Sequence, residues 1–157
     1  MRVAAVVPAL NETSHIAGVV HEALTFVDYV IVVDDGSSSN TRKAYGSLDP
    51  NVIVLYHRLN LGKGASLKTG TQKALALRAD VIVFLDADGQ HRPEEIPLLL
   101  DVLRKKNVDI VFGCRKINKK MPLMMRFGNH FLSLLTSMLF RVYVSDTQSG
   151  FRAFRSP

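Results

Sequence analysis

The sequence predicts an α/β domain with a mostly parallel central sheet and helices on both faces. Short apolar runs rich in β-branched residues alternate along the chain with stretches whose apolar residues recur at helical spacing. The runs are nearly continuous in hydrophobicity, as strands covered on both faces require. Carboxylates, amides and glycines follow strand after strand, and the loops at the carboxyl ends of parallel strands share the edge where open sheets bind ligands.

The elements follow in order. Val3 to Val7 is the first strand, with Pro8-Ala9-Leu10-Asn11-Glu12 as the loop after it. Thr13 or Ser14 is placed to cap a helix to about Phe26, with Ile16, Val19, Val20, Ala23 and Leu24 on its apolar face. Tyr29 to Val33 is the second strand and opens into Asp34-Asp35-Gly36-Ser37-Ser38-Ser39-Asn40-Thr41. A short helix is expected over Arg42 to Ser47, then a third strand over Val52 to Tyr56. Arg58-Leu59-Asn60-Leu61-Gly62-Lys63-Gly64 leads into a helix from about Ala65 to Arg78. The fourth strand, Val81 to Leu85, runs into Asp86-Ala87-Asp88-Gly89-Gln90. Pro93 suits a first helical position and Glu94 and Glu95 suit the first turn of a helix to about Lys106. Asp109 to Gly113 is the fifth strand, and Phe151 to Phe154 a further one.

The 157 residues suffice for one domain with a core, and 47% apolar with 22% charged residues excludes a disordered chain. A formal net charge of +6 suits anionic partners without choosing among them. The single cysteine, Cys114, excludes a disulfide framework and a thiolate metal cluster, and reads as a small strand-end residue. The apolar start Val3 to Val7 is too short for a signal-peptide core, and no stretch reads as a clean transmembrane helix. The first strand is not followed by G-x-G-x-x-G, and Gly62-Lys63-Gly64 lacks the spacing and hydroxyl of a P-loop, so those nucleotide sites are disfavoured. No nucleic-acid-binding motif is present.

Asp86 and Asp88, two apart at a strand end, are placed to offer oxygen to one hard cation such as Mg²⁺ or Mn²⁺; a polar turn is the alternative. Asp35 suits a nucleobase N–H or a ribose hydroxyl, with an Asx-turn or cap as the alternative. Gly64 at a helix start suits a phosphate or a tight turn. Arg115, Lys116, Lys119, Lys120 and Arg126 form either a solvated basic loop or a set of phosphate partners. Met121 to Phe140 predicts a helix with a narrow polar stripe that includes Arg126 and His130, and a broad apolar face for core, a subunit contact or a membrane interface. His130 is read as a stripe residue rather than a metal ligand. Asp146 and Gln148 fall in a turn before the last strand.

Val7-Pro8-Ala9-Leu10-Asn11-Glu12, Val33-Asp34-Asp35-Gly36-Ser37, Asn60-Leu61-Gly62-Lys63-Gly64, Asp86-Ala87-Asp88-Gly89-Gln90-His91 and Asp146-Thr147-Gln148-Ser149-Gly150-Phe151-Arg152 resemble the successive motifs of the inverting family 2 glycosyltransferases. The likeness spans nearly the whole chain and lies nearest the dolichyl- or polyprenyl-phosphate mannosyl- and glucosyltransferase branch. It implies a single GT-A (Rossmann-like) catalytic domain over residues 1–157, without the C-terminal membrane or helical extension common in that branch. It implies a GDP- or UDP-hexose donor, with Pro8, Leu10, Glu12, Val33, Asp35, Lys63, Asp86, Ala87, Asp88 and Arg152 around the nucleotide-sugar. Leu10 departs from the family, which often has an aromatic residue there. The resemblance places Mg²⁺ or Mn²⁺ on Asp86, Asp88 and Gln90. It gives catalytic parts to Asp88, Arg115, Arg126, Asp146 and Gln148, the arginines meeting the diphosphate and the lipid phosphate. The implied acceptor is polyprenyl (dolichyl) phosphate, at the cytoplasmic face of a membrane to which the protein binds peripherally. Two alternatives stand beside it: transfer to a sugar or glycan hydroxyl with Asp146 as base, and a nucleotide-sugar-binding module without turnover. The Q-x-x-R-W pattern of processive polysaccharide synthases is missing.

Overall fold

A computed structural model describes residues 1–38, 49–89, 92–113 and 150–157. The expected helices over Arg42 to Ser47 and Met121 to Phe140 lie outside the described residues, as do Cys114 and His130.

The described strands are β1 (Val3–Ala9), β2 (Tyr29–Asp34), β3 (Val52–Tyr56), β4 (Val81–Phe84), β5 (Ile110–Phe112) and β6 (Arg152–Arg155). The described helices are α1 (Ile16–Ala23), α2 (Lys63–Ala76) and α3 (Ile96–Lys105), the last preceded by a 3₁₀ turn over Pro93–Glu95. The sheet runs β3-β2-β1-β4-β6-β5. β1 pairs in parallel with β2 and β4, and β2 with β3. β6 is antiparallel to both β4 and β5, and separates them. The sheet is thus parallel over four strands and mixed at one side.

Side-chain alternation along the strands divides the core into two layers. Val3, Ala5, Val7, Val30, Val32, Val81 and Val83 face one side, where they pack with Ile16, Val19 and Val20 of α1 and Ile96, Leu99 and Leu103 of α3. Ala4, Val6, Ile31, Val33 and Ile82 face the other, beneath Ala74 of α2. Gly70 lets α2 approach closely, since a Cβ there would collide with Val6 Cγ1. Phe84 and Phe154 meet edge to face, with ring centroids 4.9 Å apart, across the antiparallel β4–β6 seam.

Helix ends differ from the sequence expectation in instructive ways. α1 begins at Ile16, with His15 at the N-cap position rather than Thr13 or Ser14. Glu12 supplies the acceptor instead: its Oε1 receives the backbone N–H groups of Ser14 at 3.0 Å and His15 at 3.1 Å. A carboxylate there also suits the positive end of the helix dipole. α2 begins two residues earlier than expected, at Lys63, with Gly62 at its N-cap in a left-handed conformation (φ 90°). It closes at Ala76, and Arg78 turns the chain away at φ 57°.

Candidate active site

The carboxyl ends of β1, β2, β3 and β4 are laced together loop to loop. After β1, the Asn11 N–H donates to Ser37 Oγ at 2.8 Å, while the Ser38 N–H donates to Asn11 Oδ1 at 3.1 Å. Asn11 itself sits at φ 52°, a conformation that asparagine tolerates better than most residues. After β2, Asp34 Oδ1 takes the N–H groups of Gly36 and Ser37 at 3.1 and 2.8 Å, an Asx-turn that shapes the loop. Gly36 is required there: its φ is +83°, and a Cβ would press on the backbone of Leu59 and Asn60 at 2.7 Å.

Asp35, only 4% exposed, ties this loop to the next. Its Oδ1 receives the Leu61 N–H at 3.0 Å and its Oδ2 the Gly62 N–H at 2.7 Å. His57 Nδ1 lies 2.7 Å from Oδ1, and His57 Nε2 lies 3.0 Å from Thr69 Oγ1 on α2. Burial pushes the Asp35 carboxyl up. The hydrogen bonds from His57, Leu61 and Gly62, with the charge of His57, outweigh that and hold it below the usual aspartate value. Glu12 is also held low, first by the Ser14 hydroxyl and then by the His15 N–H, against a smaller effect of burial.

The loop after β3 is tied to the loop after β4 by Lys63, whose Nζ stands 2.6 Å from Asp86 Oδ1. On its other side the Asp86 carboxylate lies against Gly150, just before β6, where a Cβ would collide with it.

These loops enclose a cleft of about 400 Å³. Pro8, Leu10, Glu12, Asp35, Lys63, Asp86, Ala87 and Asp88, all expected around a nucleotide-sugar, line it together. Ser66 lines it too, with a fully buried hydroxyl that has no hydrogen-bond partner among the described residues. Two expected residues do not line it. Val33 is fully buried beneath α2, its Cγ2 close to Gly70. Arg152 sits within β6, its guanidinium 5.3 Å from the centroid of the Phe112 ring. Gln90, Arg115, Arg126, Asp146 and Gln148 lie outside the described residues.

Sequence reasoning missed His57, Thr69 and Ser66. His57 follows β3 immediately, a strand-end position that carries a signal. Thr69 and Ser66 sit three apart on α2 among small residues and carry none.

Among the described residues no group of three or more His, Cys, Asp or Glu side chains is placed to hold a metal ion. Asp86 and Asp88 nevertheless suit a divalent cation that shares its shell with substrate phosphates, for which one or two carboxylates suffice. Asp86 already carries a cation, the Lys63 ammonium, and the missing side chain at Gly150 leaves its carboxylate room.

The chain is 37% identical over 169 residues to the UDP-N-acetylglucosamine–dolichyl-phosphate N-acetylglucosaminyltransferase of Methanococcus voltae, an alignment that covers 95% of this chain and 67% of that protein. It is 32% identical to the undecaprenyl-phosphate mannosyltransferase of Micrococcus luteus, covering 99% of this chain and 67% of the relative. Among solved structures, glucosyl-3-phosphoglycerate synthase from Mycobacterium tuberculosis, in complex with Mn²⁺, UDP and phosphoglyceric acid, superposes with a TM-score of 0.71 at 24% identity, over 98% of this chain and 55% of that one. That likeness shows the fold, a GT-A fold. The chain thus spans about two thirds of the length of the curated relatives and just over half of the solved chain. The sequence model of the family described as Glycosyl transferase family 2 matches residues 4–155, nearly the whole chain, and the chain belongs to that family of glycosyltransferases.

Proposed function

We propose that this chain transfers a hexose from a nucleoside-diphosphate sugar (GDP- or UDP-linked) to polyprenyl phosphate, with inversion and with a divalent metal, as the catalytic part of a protein at the cytoplasmic face of a membrane. The observation that carries the donor half is the meeting of Asp35, Lys63, Asp86 and Asp88 in one cleft at the carboxyl edge of the parallel strands. The relatives named for dolichyl and undecaprenyl phosphate support the acceptor half.

The chemistry follows from the residues. Pro8, Leu10 and the Asp35 loop offer a half-apolar wall for a nucleoside, and Lys63 and the start of α2 offer positive charge for its diphosphate. Asp86 and Asp88, with Gln90, would hold Mg²⁺ or Mn²⁺, which when bound neutralises the leaving diphosphate. A polyprenyl phosphate oxygen attacks the anomeric carbon from the face opposite the leaving group. The new bond is C1 to phosphate oxygen, and the bond from C1 to the β-phosphate oxygen breaks, releasing the nucleoside diphosphate. The attacking phosphate is already anionic, so no base is needed; Asp146 and Gln148 then position groups, and Arg115 and Arg126 meet phosphates. On this reading attachment is peripheral; no helix among the described residues is long and apolar enough to cross a membrane.

Incubation of the full-length protein with Mn²⁺, polyprenyl phosphate and a panel of labelled nucleotide-sugars tests the reading. A lipid-linked sugar from one donor is the expected product. A full-length protein that yields none from any donor refutes the acceptor assignment. A strong loss of rate in Asp146→Asn, with a matching change in the pH–rate profile, would move the chemistry to a hydroxyl acceptor.

A further inference from the structure

The contact between Lys63 and Asp86 has the wrong partners for a resting donor site. If Asp86 holds a divalent cation and Lys63 meets a diphosphate, each of them here occupies the other's ligand. Nζ stands 2.6 Å from Oδ1, so a metal ion at ordinary oxygen distance from Asp86 would lie against an ammonium group.

Asp86 has little room to yield. Its side chain is 13% exposed, and its carboxylate is backed by Gly150, where even a methyl group would collide with it. Lys63 can yield: its side chain is 53% exposed and flexible, and its backbone is the first residue of α2. The positive end of α2 beside the cleft acts in the same sense, disfavouring a lone cation and favouring a phosphate. A diphosphate removes both obstacles at once. It draws the ammonium off Asp86 and adds oxygen ligands to the metal.

We propose that Lys63 is a built-in counter-cation for Asp86 that is handed over to the donor's diphosphate, so that metal and nucleotide enter the cleft as coupled ligands rather than independently. This rests on the donor reading given above. The coupling is reciprocal: whatever factor the nucleotide adds to metal affinity, the metal adds to nucleotide affinity.

The test is Mn²⁺ titration of the full-length protein, read by electron paramagnetic resonance of the free ion, with and without saturating UDP or GDP. Wild type, Lys63→Met and Lys63→Arg are compared, each checked for folding by thermal melting. Wild type is expected to bind Mn²⁺ weakly alone and at least about tenfold more tightly with the nucleotide, within the usual range of coupling between sites. Lys63→Met should bind Mn²⁺ alone about fivefold more tightly, the scale of one partly exposed ion pair removed, and its coupling should shrink by a similar factor. Lys63→Arg, which keeps a positive charge beside Asp86, should bind Mn²⁺ alone about as weakly as wild type. Unchanged or weaker Mn²⁺ binding by Lys63→Met, with nucleotide-dependent Mn²⁺ binding intact in wild type, overturns the handover and leaves the donor reading standing. No Mn²⁺ binding by wild type under either condition overturns both.

Discussion

Asp35 Oδ1 accepts from His57 Nδ1 at 2.7 Å, and through the far side of that ring, 3.0 Å from Thr69 Oγ1, the loop after β2 is fastened to α2. With Nδ1 against Asp35 and Nε2 against the Thr69 hydroxyl, both ring nitrogens have a partner. The same carboxylate takes the N–H groups of Leu61 and Gly62 and so sets the entry to α2. Asp35 is therefore structural as well as cleft-lining. Its replacement is expected to affect folding and ligand binding together.

Asp35→Asn should destabilise the fold by about 1–3 kcal/mol, the cost of leaving buried donors poorly matched. An amide offers only one acceptor oxygen, whereas Leu61 and Gly62 approach different oxygens of Asp35. Urea denaturation checks this. A midpoint equal to wild type would show that the loop does not depend on the carboxylate.

The depressed Asp35 titration has a sign in stability. Because its folded value lies below the ordinary one, the unfolded chain takes up the proton first as the pH falls. The stabilisation is therefore complete above the ordinary carboxylate value and is lost downward from about pH 4. Melting temperature is expected to fall through that range in wild type. In Asp35→Asn, which starts lower, the acid slope should be flatter. Glu12→Gln should flatten it in the same direction, since Glu12 is held low by Ser14 and His15. Parallel acid slopes in all three proteins would contradict this assignment.

Ser66→Ala is expected to stabilise the protein by about 1 kcal/mol. The Ser66 hydroxyl is fully buried and unpartnered among the described residues, so its removal ends a desolvation cost and breaks no hydrogen bond among them. Alanine is also the better helix residue. Chemical denaturation with an unchanged m-value is the measurement, and a clear loss of stability would reveal a partner for the hydroxyl.

Much of this was legible in the sequence, for identifiable reasons. The runs Val3 to Val7, Tyr29 to Val33, Val52 to Tyr56 and Val81 to Leu85 read as parallel strands because burial on two faces leaves no alternation to confuse with a helix. Parallel strands put their loops on one edge, so Asp35, Lys63, Asp86 and Asp88 converge as expected although far apart in the chain. The place of β6 was not legible. Local sequence carries no signal that Arg152–Arg155 runs antiparallel between β4 and β5. Nor was the internal bonding of Asp35, whose partners lie 22 to 27 residues away. Val33 opens its loop motif but is the next-to-last residue of β2 and is buried in the core layer beneath α2, outside the cleft lining.

Gly150 gives the sharpest test of the Asp86 side of the cleft. A Cβ at Gly150 would overlap the Asp86 carboxylate, so Gly150→Ala must displace the group that Lys63 holds. Crowding of this kind costs about 1–3 kcal/mol. Gly113→Ala is the comparison variant: its Cβ would press on the ring of Phe151, the residue after Gly150, and not on the carboxylate itself, at a similar cost in stability. Per folded molecule, Gly150→Ala should lose Mn²⁺-dependent nucleotide binding at least about tenfold, because the carboxylate no longer sits where metal and phosphate meet. Gly113→Ala should bind as wild type. Calorimetric titration of UDP or GDP with and without Mn²⁺, at a temperature where both variants are folded, separates the two. Equal losses in both would mean that the effect runs through stability alone. Unchanged Mn²⁺-dependent binding in Gly150→Ala would remove Asp86 from the metal site.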